Sequence, residues 1–155
     1  MEKPYLLCLD DETDNLDALE RIFRRNYTVL KASTPEEAFH VLDNHPDLAV
    51  IISDQRMPLI TGVEFLEKSI VSHPDTVRIL LTGYTDIESV IGAVNKGQIY
   101  RYLTKPWDPI DLLNTVDQGY EKFSLKSELK VKNQALEKAL GDLRSLDKAK
   151  NQFMI

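Results

Sequence analysis

Short apolar runs alternate along the chain with segments in which apolar residues recur at helical spacing. The apolar runs are nearly continuous, which is typical of strands covered on both faces of a sheet. They predict five strands, at Tyr5–Leu9, Tyr27–Ala32, Leu48–Ser53, Val77–Thr82 and Ile99–Thr104. Because strands that alternate with helices form right-handed βαβ crossovers, the pattern predicts an α/β fold with a five-stranded parallel sheet.

The intervening segments carry the signals that start and stop helices. The segment LDALERIF places Leu16, Leu19 and Phe23 on one face, and GVEFLEKSI repeats this amphipathic pattern. In STPEEAFHVL, a Ser/Thr cap precedes Pro35 in the first turn. The segment DIESVIGAVNKG stops at Gly97, as expected for a helix C-terminus.

The C-terminal part of the chain predicts one long helix, which Asp108 caps and Pro109 opens. Beyond it, residues recur at alternating steps of four and three, giving a coiled-coil seam of about four heptads. The seam members are Leu125, Leu129, Lys132, Leu136, Ala139, Leu143, Leu146, Lys150 and Phe153. We therefore expect residues 1–122 to form one domain and residues 123–155 a parallel homodimeric coiled coil. Alternatively, the stripe folds back onto the first domain or is frayed.

Composition and charge restrict the classes of function. The net charge of −6 divides into −9 for residues 1–123 and +3 for residues 124–155. Such an acidic body argues against nonspecific nucleic-acid binding. Neither a signal peptide nor a membrane span is predicted, so we expect a cytoplasmic protein without membrane contact. Cys8 lies in an apolar strand and is expected to be a buried, inert thiol.

Polar side chains follow four of the predicted strands. Asp10 and Asp11 follow the first, Asp54 the third, Thr82 ends the fourth, and Lys105 follows the fifth. Since the carboxyl ends of parallel strands meet at one edge of a sheet, these groups should lie together. Three clustered carboxylates repel unless a cation joins them, and oxygen ligands suit Mg²⁺. With a lysine and a hydroxyl nearby, the group predicts a carboxylate that accepts a phosphoryl group.

Each of these motifs also has a simpler interpretation. DDE after a strand is often a helix-capping cluster, Thr-Gly is usually a turn, and Lys-Pro is often a loop with a solvated lysine. It is their combination at the ends of the right strands that favours a functional site.

Four motifs together resemble the receiver domain of two-component response regulators: LDDE at 9–12, SDQRMP at 53–58, LTG at 81–83 and YLTKPW at 102–107. The resemblance covers residues 4–122 and implies a flavodoxin-like, doubly wound domain. It implies that Asp54 accepts phosphoryl from a histidine kinase or phosphotransfer protein and that Lys105 pairs with the phosphoryl group. It also implies a cis bond between Lys105 and Pro106, and Mg²⁺ bound by Asp10, Asp11, Asp54 and the Arg56 main-chain carbonyl.

The same resemblance implies roles for residues around the acceptor. Thr82 and Tyr102 would form the switch pair. Plain packing on an edge strand is the simpler, less favoured interpretation of Tyr102. Arg56 and Tyr84 hold the positions that tune water access, and both are bulky. We therefore expect a long-lived phosphoryl group.

The final residues, LDKAKNQFMI, resemble the lead-in to the dimerisation helix of histidine kinases. We therefore expect a fragment of a longer protein, such as a hybrid histidine kinase. The fragment itself is expected to catalyse only its own phosphorylation and dephosphorylation. The alternative output is a cyclase, a cyclic-dinucleotide phosphodiesterase or a transcriptional domain.

Two other classes of function stay open. One is a phosphatase with an aspartyl nucleophile, although Arg56 stands where its general acid would be. The other is a pure dimerisation scaffold.

Overall fold

A computed structural model describes residues 2–152, with the side chains of residues 2–147. Its centre is a parallel sheet of five strands in the order β2-β1-β3-β4-β5. The strands are β1 (Tyr5–Leu9), β2 (Thr28–Ala32), β3 (Val50–Asp54), β4 (Val77–Thr82) and β5 (Arg101–Thr104). The prediction of a doubly wound α/β fold is therefore confirmed.

Five α-helices connect and follow the strands. They are α1 (Thr13–Phe23), α2 (Pro35–Asn44), α3 (Gly62–Ser72), α4 (Ile87–Asn95) and α5 (Pro109–Gln152), and a 3₁₀ turn at Tyr84–Asp86 precedes α4. Apolar residues of α1 and of the first turns of α5 pack on one face of the sheet. Those of α2, α3 and α4 pack on the other. Each inner strand is covered on both faces, which explains the nearly continuous apolar runs.

The predicted helix ends are confirmed at three positions. The Thr34 hydroxyl accepts a hydrogen bond from the Glu37 main-chain N–H, and Pro35 opens α2. The Asp108 carboxylate accepts one from the Ile110 main-chain N–H at the start of α5. Gly97 follows the end of α4 with φ of 73°, a left-handed conformation that glycine adopts without cost.

Three strands begin later than the apolar runs predicted. β3 starts at Val50 rather than Leu48, and β5 starts at Arg101 rather than Ile99. The side chains of Leu48 and Ile99 are nevertheless buried. β2 starts after Tyr27, whose hydroxyl donates to the Asp117 carboxylate over 2.6 Å. The buried apolar residues therefore extend beyond the residues that pair by hydrogen bonds in the sheet. An apolar run in the sequence predicts burial and does not give the exact end of a strand.

The strand order places a crevice at the sheet edge where the functional motifs end. β1 pairs with both β2 and β3, so the connections after β1 and after β3 leave the sheet toward opposite faces. In open α/β sheets, sites form outside the carboxyl ends of strands at such a reversal. The residues Asp10 and Asp54 stand on either side of it.

The chain divides into a compact unit that ends at Phe123 and a second unit that begins at Ser124. The second unit is a helical segment of α5 whose seam leucines are exposed, each by more than half, at positions 125, 129, 136, 143 and 146. The predicted seam members Lys150 and Phe153 lie outside the residues whose side chains are described. Among the described helices, none is both long and apolar enough to cross a membrane.

Candidate functional site

Asp54 is the last residue of β3 and is nearly buried, with 6% of its surface exposed. Two neighbouring strands hold it, because β3 pairs with β1 and β4. Helix α3 begins beside it at Gly62, whose N–H donates to the Gln55 carbonyl over 3.0 Å. A Cβ atom at position 62 would overlap the Asp54 main-chain carbonyl and lie 2.6 Å from Leu80 Cδ1. Only glycine lets α3 start so close to the acceptor strand.

Lys105 contacts Asp54 directly. Its Nζ lies 2.8 Å from Asp54 Oδ1 and 3.5 Å from Asp10 Oδ2. The lysine main-chain N–H donates to the Thr82 carbonyl over 2.9 Å, which continues the pairing of β4 with β5. The following bond to Pro106 is cis, as the resemblance to receiver domains implies.

Three carboxylates converge in the crevice. One ligand oxygen from each of Asp10, Asp11 and Asp54 lies within 4.8 Å of the other two. Asp10 is buried and Asp11 is exposed. The Asp10 carboxylate accepts hydrogen bonds from the Glu12 main-chain N–H and the Asn15 amide, which fixes its orientation. An all-oxygen donor set with an exposed member fits a hard cation such as Mg²⁺, which keeps bound water.

The electrostatics of the crevice favour an added positive charge. Burial raises the pKa of Asp54, and the negative charge of Asp10 adds to the rise, while the contact with Lys105 opposes it. Burial tends to lower the pKa of Lys105, but its contacts with Asp54 and Asp10 outweigh burial and raise it. Lys105 is thus held in its charged form, and it leaves the carboxylates only partly compensated.

The predicted switch residues lie on one side of the sheet. Thr82 ends β4 with no exposed surface, and its hydroxyl donates to the Gly83 carbonyl over 3.3 Å. Tyr102 pairs in register with Leu80 and is half-buried against the core cluster on the face of the sheet that carries α2, α3 and α4. Since Leu80 and Thr82 are two residues apart, they point to the same face as Tyr102.

A cavity of about 260 Å³ opens above the acceptor. It is lined by Asp11, Glu12, Asp54, Arg56, Gly83, Thr85, Asp86 and Lys105. Of the two predicted tuning residues, Arg56 lines this cavity, whereas Tyr84 is 74% exposed and is not among its lining residues. The Arg56 guanidinium makes two hydrogen bonds to the Asp86 carboxylate, Nε to Oδ2 over 2.8 Å and Nη2 to Oδ1 over 3.0 Å.

Sequence reasoning missed three residues that shape the site. Asn15 donates to Asp10, and the Gln55 side chain accepts from the Val63 main-chain N–H at the start of α3. Asp86 pairs with Arg56 across thirty residues of sequence. Asn15 follows Asp10 closely enough to suggest a contact, but nothing in the sequence indicates that Asp86 faces Arg56.

A sequence model of the response regulator receiver domain matches residues 6–117, which is most of the chain. The chain belongs to the response regulator receiver family. This family assignment confirms the resemblance drawn from the four motifs. Receiver domains interact with histidine kinases or phosphotransfer proteins and use Mg²⁺ at an acidic pocket, which here corresponds to the cluster of Asp10, Asp11 and Asp54.

Similar proteins include the hydrogenase transcriptional regulatory protein HoxA of Cupriavidus necator, which is 44% identical over 80% of this chain and 26% of its own length. A crystal structure described as adenylate cyclase from Rhodopirellula baltica is 29% identical, with a TM-score of 0.81 over 88% of this chain and 98% of that one. A CheY-like receiver domain protein from Methanospirillum hungatei is 27% identical, with a TM-score of 0.74 over 81% and 99% of the two chains. The receiver thus spans about a quarter of the length of the curated relative HoxA.

Proposed function

We propose that this receiver takes a phosphoryl group onto Asp54 from the phosphohistidine of a histidine kinase or phosphotransfer protein. The observation that carries the proposal is the 2.8 Å contact between Lys105 Nζ and Asp54 Oδ1, in a crevice that also holds Asp10 and Asp11. Asp10 is also buried and faces Lys105, but over a longer distance of 3.5 Å, and its carboxylate already accepts hydrogen bonds from the Glu12 main-chain N–H and the Asn15 amide.

The transfer uses Asp54 and Lys105, which line the cavity, and Thr82, which ends the neighbouring strand β4. An oxygen of Asp54 attacks the phosphorus, the N–P bond of the phosphohistidine breaks, and the histidine nitrogen keeps the electron pair and takes up a proton. Lys105 is placed to neutralise one phosphoryl oxygen, and the Thr82 hydroxyl is placed to donate to another after a small movement. The buried setting makes these charges more effective than they would be in water.

Magnesium would be held by Asp10, Asp11 and Asp54, with the main-chain carbonyl of Arg56 as a further proposed ligand. When bound, the ion supplies positive charge that offsets the carboxylates and the incoming phosphoryl oxygens. The partly compensated charge of the crevice supports this assignment, because Lys105 contacts the carboxylates of Asp10 and Asp54 while a third carboxylate, that of Asp11, lies close to both.

The signal would leave the site through Thr82 and Tyr102. Both lie on the face of the sheet that α4 covers, and Tyr102 is only half-buried there, so its ring has room to turn. Movement of Thr82 toward the phosphoryl group would vacate space beside β5 and bias the rotamer of Tyr102. The first turns of α5 follow β5 directly in the chain.

The output that this receiver controls is proposed to be transcriptional. HoxA, whose name describes a transcriptional regulatory protein, is 44% identical over the receiver. This relationship favours the transcriptional alternative over the histidine kinase output that the C-terminal motif suggests. That motif, residues 146–155, lies almost wholly outside the residues whose side chains are described.

The helical segment after Phe123 is proposed to pair with a second copy of itself as a parallel coiled coil. The support is its row of exposed leucines at heptad spacing in a chain segment that forms one continuous helix. Lys132 interrupts the row and pairs with Glu128 on its own helix, over 3.4 Å. A seam weakened in this way could change its geometry in response to a modest input from the receiver.

The test uses acetyl phosphate as donor and the intact mass of the protein as readout. We expect the wild type to gain the mass of one phosphoryl group in the presence of Mg²⁺ and to lose this ability in EDTA. Asp54→Asn should gain none. A dimerisation scaffold would show no gain under any condition, and continuous release of phosphate from a phosphoester would indicate a phosphatase instead.

A further inference from the structure

The wall of the acceptor cavity contains an ion pair that the transfer reaction itself does not require. Arg56 comes from the loop after β3 and Asp86 from the turn before α4, so the pair joins the two segments that follow the acceptor strand and β4. Two parallel hydrogen bonds fix the guanidinium in one orientation, which a single contact would not do.

The pair stands between two spaces. Arg56 and Asp86 line the cavity of about 260 Å³ above Asp54, and both also line a wider groove of about 590 Å³. The groove is bounded further by Gln55, Met57, Pro58 and Ser89, which do not line the acceptor cavity. The ion pair is therefore the partition between the acceptor cavity and this groove.

The partition bears on how long a phosphoryl group survives. In hydrolysis, a water oxygen attacks phosphorus on the side opposite the bond to Asp54. That P–O bond breaks, the Asp54 carboxylate leaves with the electron pair, and the water protons pass to phosphate and solvent. Water must enter the cavity above the acceptor for this attack. Since Arg56 lines this cavity, a guanidinium fixed there takes up part of the space through which water reaches the acceptor.

We propose that Asp86 is a positioning residue that lengthens the phosphoryl lifetime by holding Arg56 in the wall of the acceptor cavity. This inference rests on the proposed phosphorylation of Asp54 and assigns Asp86 a part in it. Arg56 has 76% of its side chain exposed, so the pair adds little to fold stability and its loss should leave the protein folded.

The experiment measures the decay of the phosphoryl group by intact mass after the donor is removed. We expect Asp86→Asn and Arg56→Gln each to shorten the half-life by at least about threefold. The double variant should decay no faster than the faster single variant, because either change breaks the same pair. The exchanged pair, Arg56→Asp with Asp86→Arg, should recover at least part of the lifetime. The free energy of unfolding should stay the same in every variant, which separates an effect on the cavity from a merely structural role.

Met57→Leu is the matched control, because Met57 lines the groove but not the acceptor cavity and the change keeps the side-chain volume. Its half-life should equal that of the wild type. An unchanged half-life in Asp86→Asn, effects of the two single changes that multiply, or an equal effect of Met57→Leu would each overturn the inference while leaving the proposed function standing. A wild type that gains no phosphoryl group at all would overturn the proposed function and this inference with it.

Discussion

Asp54 is buried at the end of an inner strand beside another buried carboxylate, and this placement conflicts with its charge. Burial and Asp10 both raise its pKa, and Lys105 offsets them only in part. The negative charge of Asp54 is therefore only partly compensated in the unmodified protein. Binding of a cation, or phosphorylation together with a bound cation, would stabilise the site. We therefore expect that the buried acceptor carboxylate, which the function needs, lowers the free energy of unfolding.

Replacing Asp54 should therefore stabilise the protein. Because the folded pKa lies above the unfolded value, the carboxyl's contribution to stability is present below about pH 4 and is lost as the pH rises through the folded pKa. At neutral pH without Mg²⁺, Asp54→Asn should raise the free energy of unfolding by about 1 kcal/mol. Urea unfolding at neutral and acidic pH would measure this, and the gain should shrink at the lower pH. A variant that is less stable than the wild type at neutral pH would contradict the prediction.

Added Mg²⁺ should stabilise the wild type by binding only the folded state. At about one hundred times its dissociation constant, a ligand adds about 2.7 kcal/mol to the free energy of unfolding. Asp10→Asn should gain less, since one of the three proposed carboxylate ligands becomes neutral and the cluster loses charge. Equal stabilisation of the two proteins, measured by urea unfolding at matched ionic strength, would place the cation elsewhere.

Among the elements, the contact between the start of α3 and the end of β3 fixes the backbone of the acceptor. Gly62 leaves no room for a side chain, because a Cβ would overlap the Asp54 carbonyl and crowd Leu80. Gly62→Ala should therefore lower the free energy of unfolding by about 1–3 kcal/mol and slow phosphorylation by displacing Asp54.

Gly92→Ala provides a matched control within α4. A Cβ at position 92 would meet no atom within 4 Å, and the residue is exposed in a helix. This change should raise the free energy of unfolding by about 0.5–1 kcal/mol and leave phosphorylation unchanged. Thermal unfolding of both variants would measure these changes in stability. Equal changes in the two variants would contradict the claim that the close approach at Gly62 requires glycine.

The strands and helices could be predicted because each depends on residues that lie close together in the sequence. The caps at Thr34 and Asp108 and the stop at Gly97 each depend on residues a few positions apart. The cluster of Asp54 with Asp10 and Lys105 could be predicted as well, because the carboxyl ends of parallel strands meet at one edge.

The wall of the cavity could not be predicted in this way. The Arg56–Asp86 pair depends on how two loops turn after leaving the sheet, and loop conformation has no periodic pattern to read. The outward placement of Tyr84 has the same origin, and so the expectation that it covers the acceptor draws no support from the cavity lining.

For the whole molecule, the exposed leucines after Phe123 set the expected oligomeric state. Leu136 belongs to the proposed seam, whereas Val131 lies off it, and their exposures are similar at 59% and 65%. Leu136→Glu should weaken self-association at least about tenfold, since it would place a charge between the helices. Val131→Glu should not change it.

Sedimentation of the full chain and of both variants over a series of concentrations would measure this difference. A wild type that stays monomeric throughout would contradict the coiled coil. Equal weakening by the two glutamates would mean that net charge, rather than the seam, governs association.

The central claim is that the phosphoryl group goes to Asp54 and to no other residue. Borohydride reduces an aspartyl phosphate to homoserine, so brief treatment of the protein after reaction with acetyl phosphate and Mg²⁺ leaves a permanent mark at the acceptor. Peptide mass mapping then locates it. The account predicts homoserine at position 54 alone, and none when Mg²⁺ is removed. A reduced residue at any other aspartate, or an unmodified Asp54 in a protein that carries phosphoryl, would contradict it.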